Sequence, residues 1–283
     1  MSPSRRRAAV QMLQDRLGLS QRRACQICGQ HRSVQRRGPA DPDPDKVLRA
    51  VLRGFAREHP RWGYRRAHAV LNRQGHHHNR KKIARLWREE GLRVPPRRRK
   101  RQRLGTSATP AARLSAQRIN HVWALNYQFD VTSAGRTLKI LHVVDEYTRE
   151  SLSDLVAYSI GADATVAVLD KIAATRGCPQ YLRCDNGPEL TACALRDWCR
   201  FTAVKTSYIE PGSPWQNPWV ESYGSRIRDE LLPIEQFDTL LQAQVLVADW
   251  RQEYNNNRPH SALGMRTPAE FARTCRTRQP QLT

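Results

Sequence analysis

The chain has no run approaching the ~18 consecutive apolar residues that a bilayer span requires. Its opening, MSPSRRRAAVQML, lacks an apolar h-region and a small-residue cleavage site, so no secretory signal is expected. Cysteines number seven, an odd count at irregular spacing. That pattern does not read as a disulfide framework and points to a reducing cytoplasm. Acidic residues are scarce where the chain begins: residues 1–118 carry 7 of them against 31 basic ones. What is present is 283 residues with 39% hydrophobic and 26% charged side chains. This suits a soluble globular chain of two or three domains and excludes a membrane-embedded or wholly disordered one.

The charge is the first positive signal. The net charge of +22 resides entirely in residues 1–118, because residues 119–283 hold 17 basic and 19 acidic side chains. A polyanion partner is expected, gripped by a basic region separate from a near-neutral one.

Residues 1–40 read as a basic helix–turn–helix-like segment. Ser20 is a suitable N-cap, Ala24, Ile27 and Cys28 are helically spaced, and Gly29 breaks the chain before a second short basic helix. An exposed arginine-rich hairpin is the plainer alternative. ADPDPD at 40–45 marks a turn or linker. Residues 45–93 form a second helical DNA-binding unit. Val47, Leu48, Val51, Leu52 and Phe55 share a face and His59-Pro60 closes that helix; two more helices follow, from Tyr64 and from Asn79, separated by Gly75 and stopped by Gly91. Ala67, Val70, Leu71, Ile83, Leu86 and Trp87 supply their buried face. Two basic helices joined by a turn suit a major groove. Residues 94–118 read as a flexible basic linker that tracks phosphates.

From residue 119 the pattern turns to strands. HVWALNYQFDVT alternates, with Trp123, Leu125, Tyr127 and Phe129 on one face and Asn126, Gln128 and Asp130 on the other. GRTLKILHVVDEYTRE and the stretch around SLSDLVAYSI continue as strands, ADATVAVLDKIAATRG as a helix with its stop at Gly177, YLRCDNG as a short strand ending in a turn, LTACALRDWCRFT as a helix, AVKTSYIE as a strand, and the rest from Pro218 onward as helices. The order predicts a mixed α/β sandwich over residues 119–275, with 276–283 a tail.

Asp185 ends the strand YLRCD, and Glu221 lies near the start of the helix PWVESYGSRIRDELL. Val220, Tyr223, Ile227 and Leu231 make that helix's apolar stripe. Carboxylates at a strand end and a helix start can converge on a divalent cation, and hard oxygen ligands suit Mg²⁺ or Mn²⁺. Asp-Asn-Gly taken alone is an ordinary turn.

The run WALNYQFD, VVDEYTRE, RCDNGPEL, IEPGSPWQNPWVESYGSRIRDELL and WRQEYNNNRPHSALGMRTPAEF resembles the integrase-core transposases of bacterial insertion sequences. It is most similar to the second-reading-frame product of the large family whose transposase is made by frameshifting across two frames. Thirty-five residues separate Asp185 from Glu221, the interval typical of the D,D-35-E arrangement in these enzymes and in retroviral integrases. HPRWGYRRAHAVLNRQG and KKIARLWREEGL resemble the family's helical DNA-binding region. The resemblance implies an RNase H-like core, a five-stranded mixed sheet flanked by helices, behind helix–turn–helix-type DNA-binding elements. It implies metal-dependent strand cleavage and strand transfer, in which two ions held by three carboxylates activate a nucleophile and stabilise the leaving oxygen. It also implies double-stranded DNA, element ends and target, as partner, homo-oligomers on DNA, and an upstream-frame product as a further partner. A bacterial cytoplasmic, nucleoid-associated location follows.

One position departs from the family. Its first catalytic Asp follows Trp by three places, where this chain has Asn126. Asp130 lies ~13 Å along the strand, and Asp145 belongs to the family's own VVD-x-x-TR pattern, so neither substitutes. Impaired catalysis is expected, and a catalytically inactive DNA-binding regulator is the alternative. The catalytic set is then Asn126, Asp185 and Glu221, with Asp185 and Glu221 as metal ligands. The expected DNA contacts are Arg22, Arg23, Arg32, Arg36, Arg65, Arg66, Arg80, Lys81, Lys82, Arg97, Arg98, Arg99, Asn217, Arg226 and Arg228. Cys25-x-x-Cys28 with His31 lacks a second ligand pair and reads as buried packing rather than zinc; the other cysteines are expected in or near the core. Tyr254, Arg258, Pro259 and His260 read as a packing latch or as a DNA contact. A nuclease acting on hybrids is disfavoured by the basic helices, which suit duplex DNA.

Overall fold

The computed structural model describes residues 3–36, 43–94, 114–185, 187, 190, 193–210 and 216–278. The chain separates into two compact units, Met1–Arg57 and Glu58–Thr283.

The smaller unit contains α1 (Pro3–Leu17), α2 (Gln21–Ile27), α3 (Arg32–Arg36) and most of α4 (Lys46–Glu58). Ser20 caps α2 through its hydroxyl, which accepts from the Arg23 amide. Val10, Ala24 and Cys25 form a small core with Leu13, Leu19 and Cys28 around it. Ile27 turns to solvent instead, because Ala24 and Cys25 already fill the inward side of so short a helix. On α4, Leu48, Leu52 and Phe55 are buried while Val47 is 77% exposed, a correction to the expected apolar face. The i, i+4, i+7 stripe fills the buried side and leaves its neighbour outside.

The larger unit opens with α5 (Tyr64–Arg73) and α6 (Arg80–Glu89), which pack on each other. Asn79 caps α6 by accepting from the Lys81 amide. Ala67, Leu71, Ile83, Leu86 and Trp87 are buried. These two helices, grouped with α4 by composition, lie in the same unit as the sheet.

Five strands follow: β1 (Val122–Val131), β2 (Thr137–Asp145), β3 (Ser151–Ala157), β4 (Tyr181–Cys184) and β5 (Lys205–Tyr208). The sheet order is β3-β2-β1-β4-β5. β1 to β3 are antiparallel neighbours, turning first through Gly135 at φ +76°, while β4 runs parallel to β1 and β5 parallel to β4. Parallel pairing demands crossovers, supplied by α7 (Ala162–Arg176) before β4 and α8 (Cys193–Phe201) before β5. Gly177 ends α7 at φ +79°, where a side chain would be strained.

Strand parity assigns the faces. Trp123, Leu125, Leu141 and Val143 point into a core with Leu169, Leu195 and Trp198 of α7 and α8. Ala124, Leu138, Ile140 and Val144 point the other way, onto α9 (Pro218–Glu230) and α10 (Leu240–Asn256). Helices thus cover both faces, which is why β1 is apolar on both sides at its start and not cleanly alternating. Phe129, expected inside, is 61% exposed because the strand outruns its helical cover there. α11 (Pro268–Arg278) packs on α10 and completes the described chain. Cys184 and Cys199 are buried, and burial pushes their thiols up to about 12 and about 11. Cys178 and Cys193 are exposed, contrary to the expected core placement, since both lie at loop or helix starts.

Candidate active site

Pairing of β1 with β4 matches Val122 to Tyr181, Trp123 to Leu182 and Ala124 to Arg183. Carrying that register two residues on brings Asn126 level with Asp185, on strands ~4.8 Å apart. Asp185 leaves the strand and accepts the Gly187 amide on Oδ1 at 3.0 Å, the turn that sequence alone suggests. Glu221 sits in the first turn of α9, where a carboxylate is favoured by the helix dipole. Its Oε1 accepts from Asn126 Nδ2 at 3.1 Å. The structure therefore brings the first and third members of the expected set into contact and places the second on the adjoining strand end.

The identity of residue 126 decides what this cluster can hold. Facing a carboxylate, the carboxamide must present its nitrogen, because its oxygen would repel Glu221. A hydrogen-bond donor thus occupies the place where a bridging carboxylate would put an anionic oxygen. Among the described residues, no three His, Cys, Asp or Glu side chains are grouped to hold a metal ion. The residues present do not fit a two-ion site of the kind that three carboxylates form.

A buried network supports α9 from beneath. His142, the cross-strand partner of Asn126, shares a hydrogen bond with Asp154 at 2.5 Å, and Tyr223 of α9 donates to the same carboxylate at 2.5 Å. Burial and the Asp154 charge push the Tyr223 phenol well up, so it stays a donor. Gly224 lets α9 approach so closely that an added Cβ would stand 3.0 Å from Gln128 Oε1. Asp145 is fully buried and accepts from the Asn120, Tyr147 and Thr148 amides and from Arg176, a structural turn and not a ligand.

Glu230, at the far end of α9, is a hub that periodicity does not disclose. It accepts from Arg258 Nε and Nη2 at 2.8 and 2.5 Å and from Trp62 Nε1 at 3.2 Å, with Arg66 at 3.6 Å. Arg61 adds an ion pair to Asp229 at 2.6 Å. Burial alone would raise the Glu230 carboxyl, but the Arg258 hydrogen bonds and charge, with Arg66, bring it below its ordinary value. The YNNNRPHSAL segment is accordingly a latch: Arg258 and Tyr254 are both buried in it.

The expected DNA contacts fall into distinct settings. Arg22, Arg23, Arg32 and Arg36 are exposed on α2 and α3, Arg65, Arg80 and Lys81 on α5 and α6, and Arg228 on α9, while Lys82 and Arg226 are half-buried. Arg66 is turned inward onto Glu230, and burial, with Arg258 beside it, lowers its guanidinium to about 10. Asn217 is also a correction: it is 2% exposed and donates from Nδ2 to the Leu125 carbonyl at 3.0 Å, tying the start of α9 to β1. Arg97, Arg98, Arg99 and Trp215 lie outside the described residues.

Comparison with known proteins adds an independent line. Residues 42–101 match the HTH-like domain family, and residues 116–214 and 202–268 match the Integrase core domain family. The Insertion element IS407 uncharacterized 31.7 kDa protein of Burkholderia multivorans is 41% identical over 260 residues, covering 92% of this chain and 93% of that one. The Insertion element IS476 uncharacterized 39.2 kDa protein of Xanthomonas euvesicatoria is 38% identical over 279 residues, 99% of this chain and 80% of the relative. Transposase InsD for insertion element IS2A/D/F/H/I/K of Escherichia coli is 27% identical over 256 residues, 84% of this chain and 81% of that protein. With its five-stranded mixed sheet and the cluster formed by the middle of β1, the end of β4 and the start of α9, the chain belongs to the integrase-core transposases of insertion elements, within the retroviral integrase superfamily.

Proposed function

We propose that this protein binds the ends of an insertion element through its basic helices, and that its DNA cleavage and strand transfer are weak or absent as written. The family's activity is polynucleotidyl transfer at DNA phosphodiesters, dependent on Mg²⁺ or Mn²⁺. The observation that carries the impairment is the Asn126–Glu221 hydrogen bond. It commits one oxygen of a metal-ligand candidate to a neutral donor, and the carboxamide that makes it leaves the cluster two negative charges in place of three. What the chain's own residues still do is position. α9 presents Glu221, β4 presents Asp185, and the basic faces of α2, α3, α5 and α6 neutralise phosphates. A DNA-bound, cleavage-deficient protein would act as a regulator or competitor of an active copy, and the same hydrogen bond favours that reading. In this proposal the protein works as a homo-oligomer on paired ends in the bacterial cytoplasm, at the nucleoid, with an upstream-frame product as a further partner.

The test is a metal-dependent nicking and joining assay on end-containing duplex DNA, run on the chain as written and on Asn126→Asp. Asn126→Asp is expected to raise the rate by about a hundredfold or more, the scale of restoring one missing electrostatic group. Equal rates for the two forms would refute the impairment. An RNA–DNA hybrid run alongside should be cut more slowly than the duplex.

A further inference from the structure

A cavity of about 420 Å³ lies on the opposite flank of α9 from Glu221. Trp219, Ser222 and Arg226 line it at i, i+3 and i+7, so they form one helical stripe. Glu221 emerges on the other side of the buried row Val220, Tyr223 and Ile227. A helix diameter of ~10 Å therefore separates the two. The cavity is a distinct place and not an extension of the acidic cluster.

Its walls carry five arginines, Arg65, Arg66, Arg149, Arg226 and Arg258, and no carboxylate. Glu230, behind the wall, pairs with both Arg66 and Arg258 and balances one of their two charges. Arg149 is the most telling of the others. Its guanidinium carbon lies over the Trp219 ring, 3.1 Å from the centroid, and its buried Nε and Nη1 have no hydrogen-bond partner. The backbone holds Arg149 at φ +66°, a conformation that costs a non-glycine residue ~1 kcal/mol. A desolvated cation with unused donors, held in a strained backbone, is a structure that an anion would complete. The positive field is registered by His260 on the same wall. Burial, then Arg258, Arg66, Arg226 and Arg149, lowers its imidazole to about 2.

Size and aromatic content narrow the ligand. A bare phosphate needs far less than this volume, which falls in the ~300–1,000 Å³ range of small-molecule pockets. Tyr64 and Trp219 add ring surface beside the arginines, the combination that holds an unstacked base and its phosphate together. We propose that this cavity binds a single unpaired nucleotide of the DNA strand, its phosphate on Arg149 and Arg226 and its base against Trp219 and Tyr64. The proposal deepens the DNA-binding reading above and rests on it.

The experiment is calorimetric titration of the full chain, without metal or duplex, with dAMP, deoxyadenosine and inorganic phosphate. dAMP should bind at least about tenfold more tightly than either fragment, since stacking and phosphate contacts each contribute on that scale. Arg149→Gln and Trp219→Ala should each weaken dAMP about tenfold, while Arg200→Gln, on the exposed face of α8, should not. A thermal melt of each variant establishes that it is folded, and Arg226→Gln replaces Arg149→Gln if that chain is not. Phosphate binding as tightly as dAMP, deoxyadenosine binding as tightly as dAMP, or indifference to the cavity substitutions would each overturn the proposal. Because no cleavage is read, a failed Asn126→Asp rescue leaves this result standing, and the converse also holds.

Discussion

Arg258 grips Glu230 with two nitrogens of its guanidinium, and the two side chains are only 3% and 5% exposed. Residues 28 positions apart in sequence thereby join the end of α9 to the turn after α10, and Trp62, just ahead of α5, and Arg66 within it reach the same carboxylate. Removing one partner leaves the other charged and buried. Arg258→Ala should cost about 3–5 kcal/mol in a urea unfolding curve. The double replacement Arg258→Met, Glu230→Leu should cost less than Glu230→Leu alone, because it leaves only Arg66, and not Arg258 as well, without a carboxylate. A double variant worse than both singles would show that the hub is held by shape and not by charge.

His260 gives a pH dependence with a definite sign. Burial and four nearby arginines hold its folded-state value near 2, against 6.5 for the ordinary imidazole. The unfolded chain takes up a proton below pH 6.5 that the folded chain refuses, so stability falls as pH drops from there. The slope is at most ~1.4 kcal/mol per pH unit from this one group. His260→Gln should flatten the decline in melting temperature between pH 6.5 and 5. An unchanged decline would mean that other groups cause it.

Asn217 separates a structural from a DNA-contacting role. Asn217→Ala loses the hydrogen bond to the Leu125 carbonyl and should destabilise the fold by about 1–2 kcal/mol. The salt slope of DNA binding, which counts phosphate contacts, should be unchanged. Arg65→Gln and Arg80→Gln should do the reverse, each lowering that slope by about one unit with little effect on melting.

Gly224→Ala tests how closely α9 must approach the sheet. The new methyl would meet Gln128 Oε1 at 3.0 Å, and Gln128 is itself 3% exposed, with little room to retreat. A loss of about 1–3 kcal/mol is expected. In the Asn126→Asp background the same change should also slow cleavage, since it moves the helix that carries Glu221. Full stability with reduced cleavage would place the effect in positioning alone.

Much of this is legible in the amino-acid sequence. The strand–helix order, the apolar stripe of α9 and the pairing of residue 126 with Glu221 follow from periodicity and from family motifs spaced along the sequence. What could not be read depends on approach in space. The Glu230 hub joins residues up to 168 positions apart, and nothing in the local pattern around Trp62 or Glu230 marks the encounter. Arg66 looks like any other basic side chain on a basic helix until Glu230 is placed beside it. Asn217 precedes a helix, where periodicity does not say which way a side chain turns. Phe129 and Val47 differ from their pattern for the opposite reason: they keep the expected spacing at places where no neighbour covers them.

The buried Arg183 carries a mechanical consequence. One arm of its guanidinium holds Glu146 at 2.7 Å, and the other holds the Leu114 carbonyl at 2.6 Å. Leu114 belongs to the stretch that joins the basic amino-terminal half to the sheet. A load placed on Leu114 therefore reaches β4, an interior strand of the sheet, two residues short of Asp185. An edge strand would have peeled under such a load, whereas an interior one shares it with the neighbours on both sides.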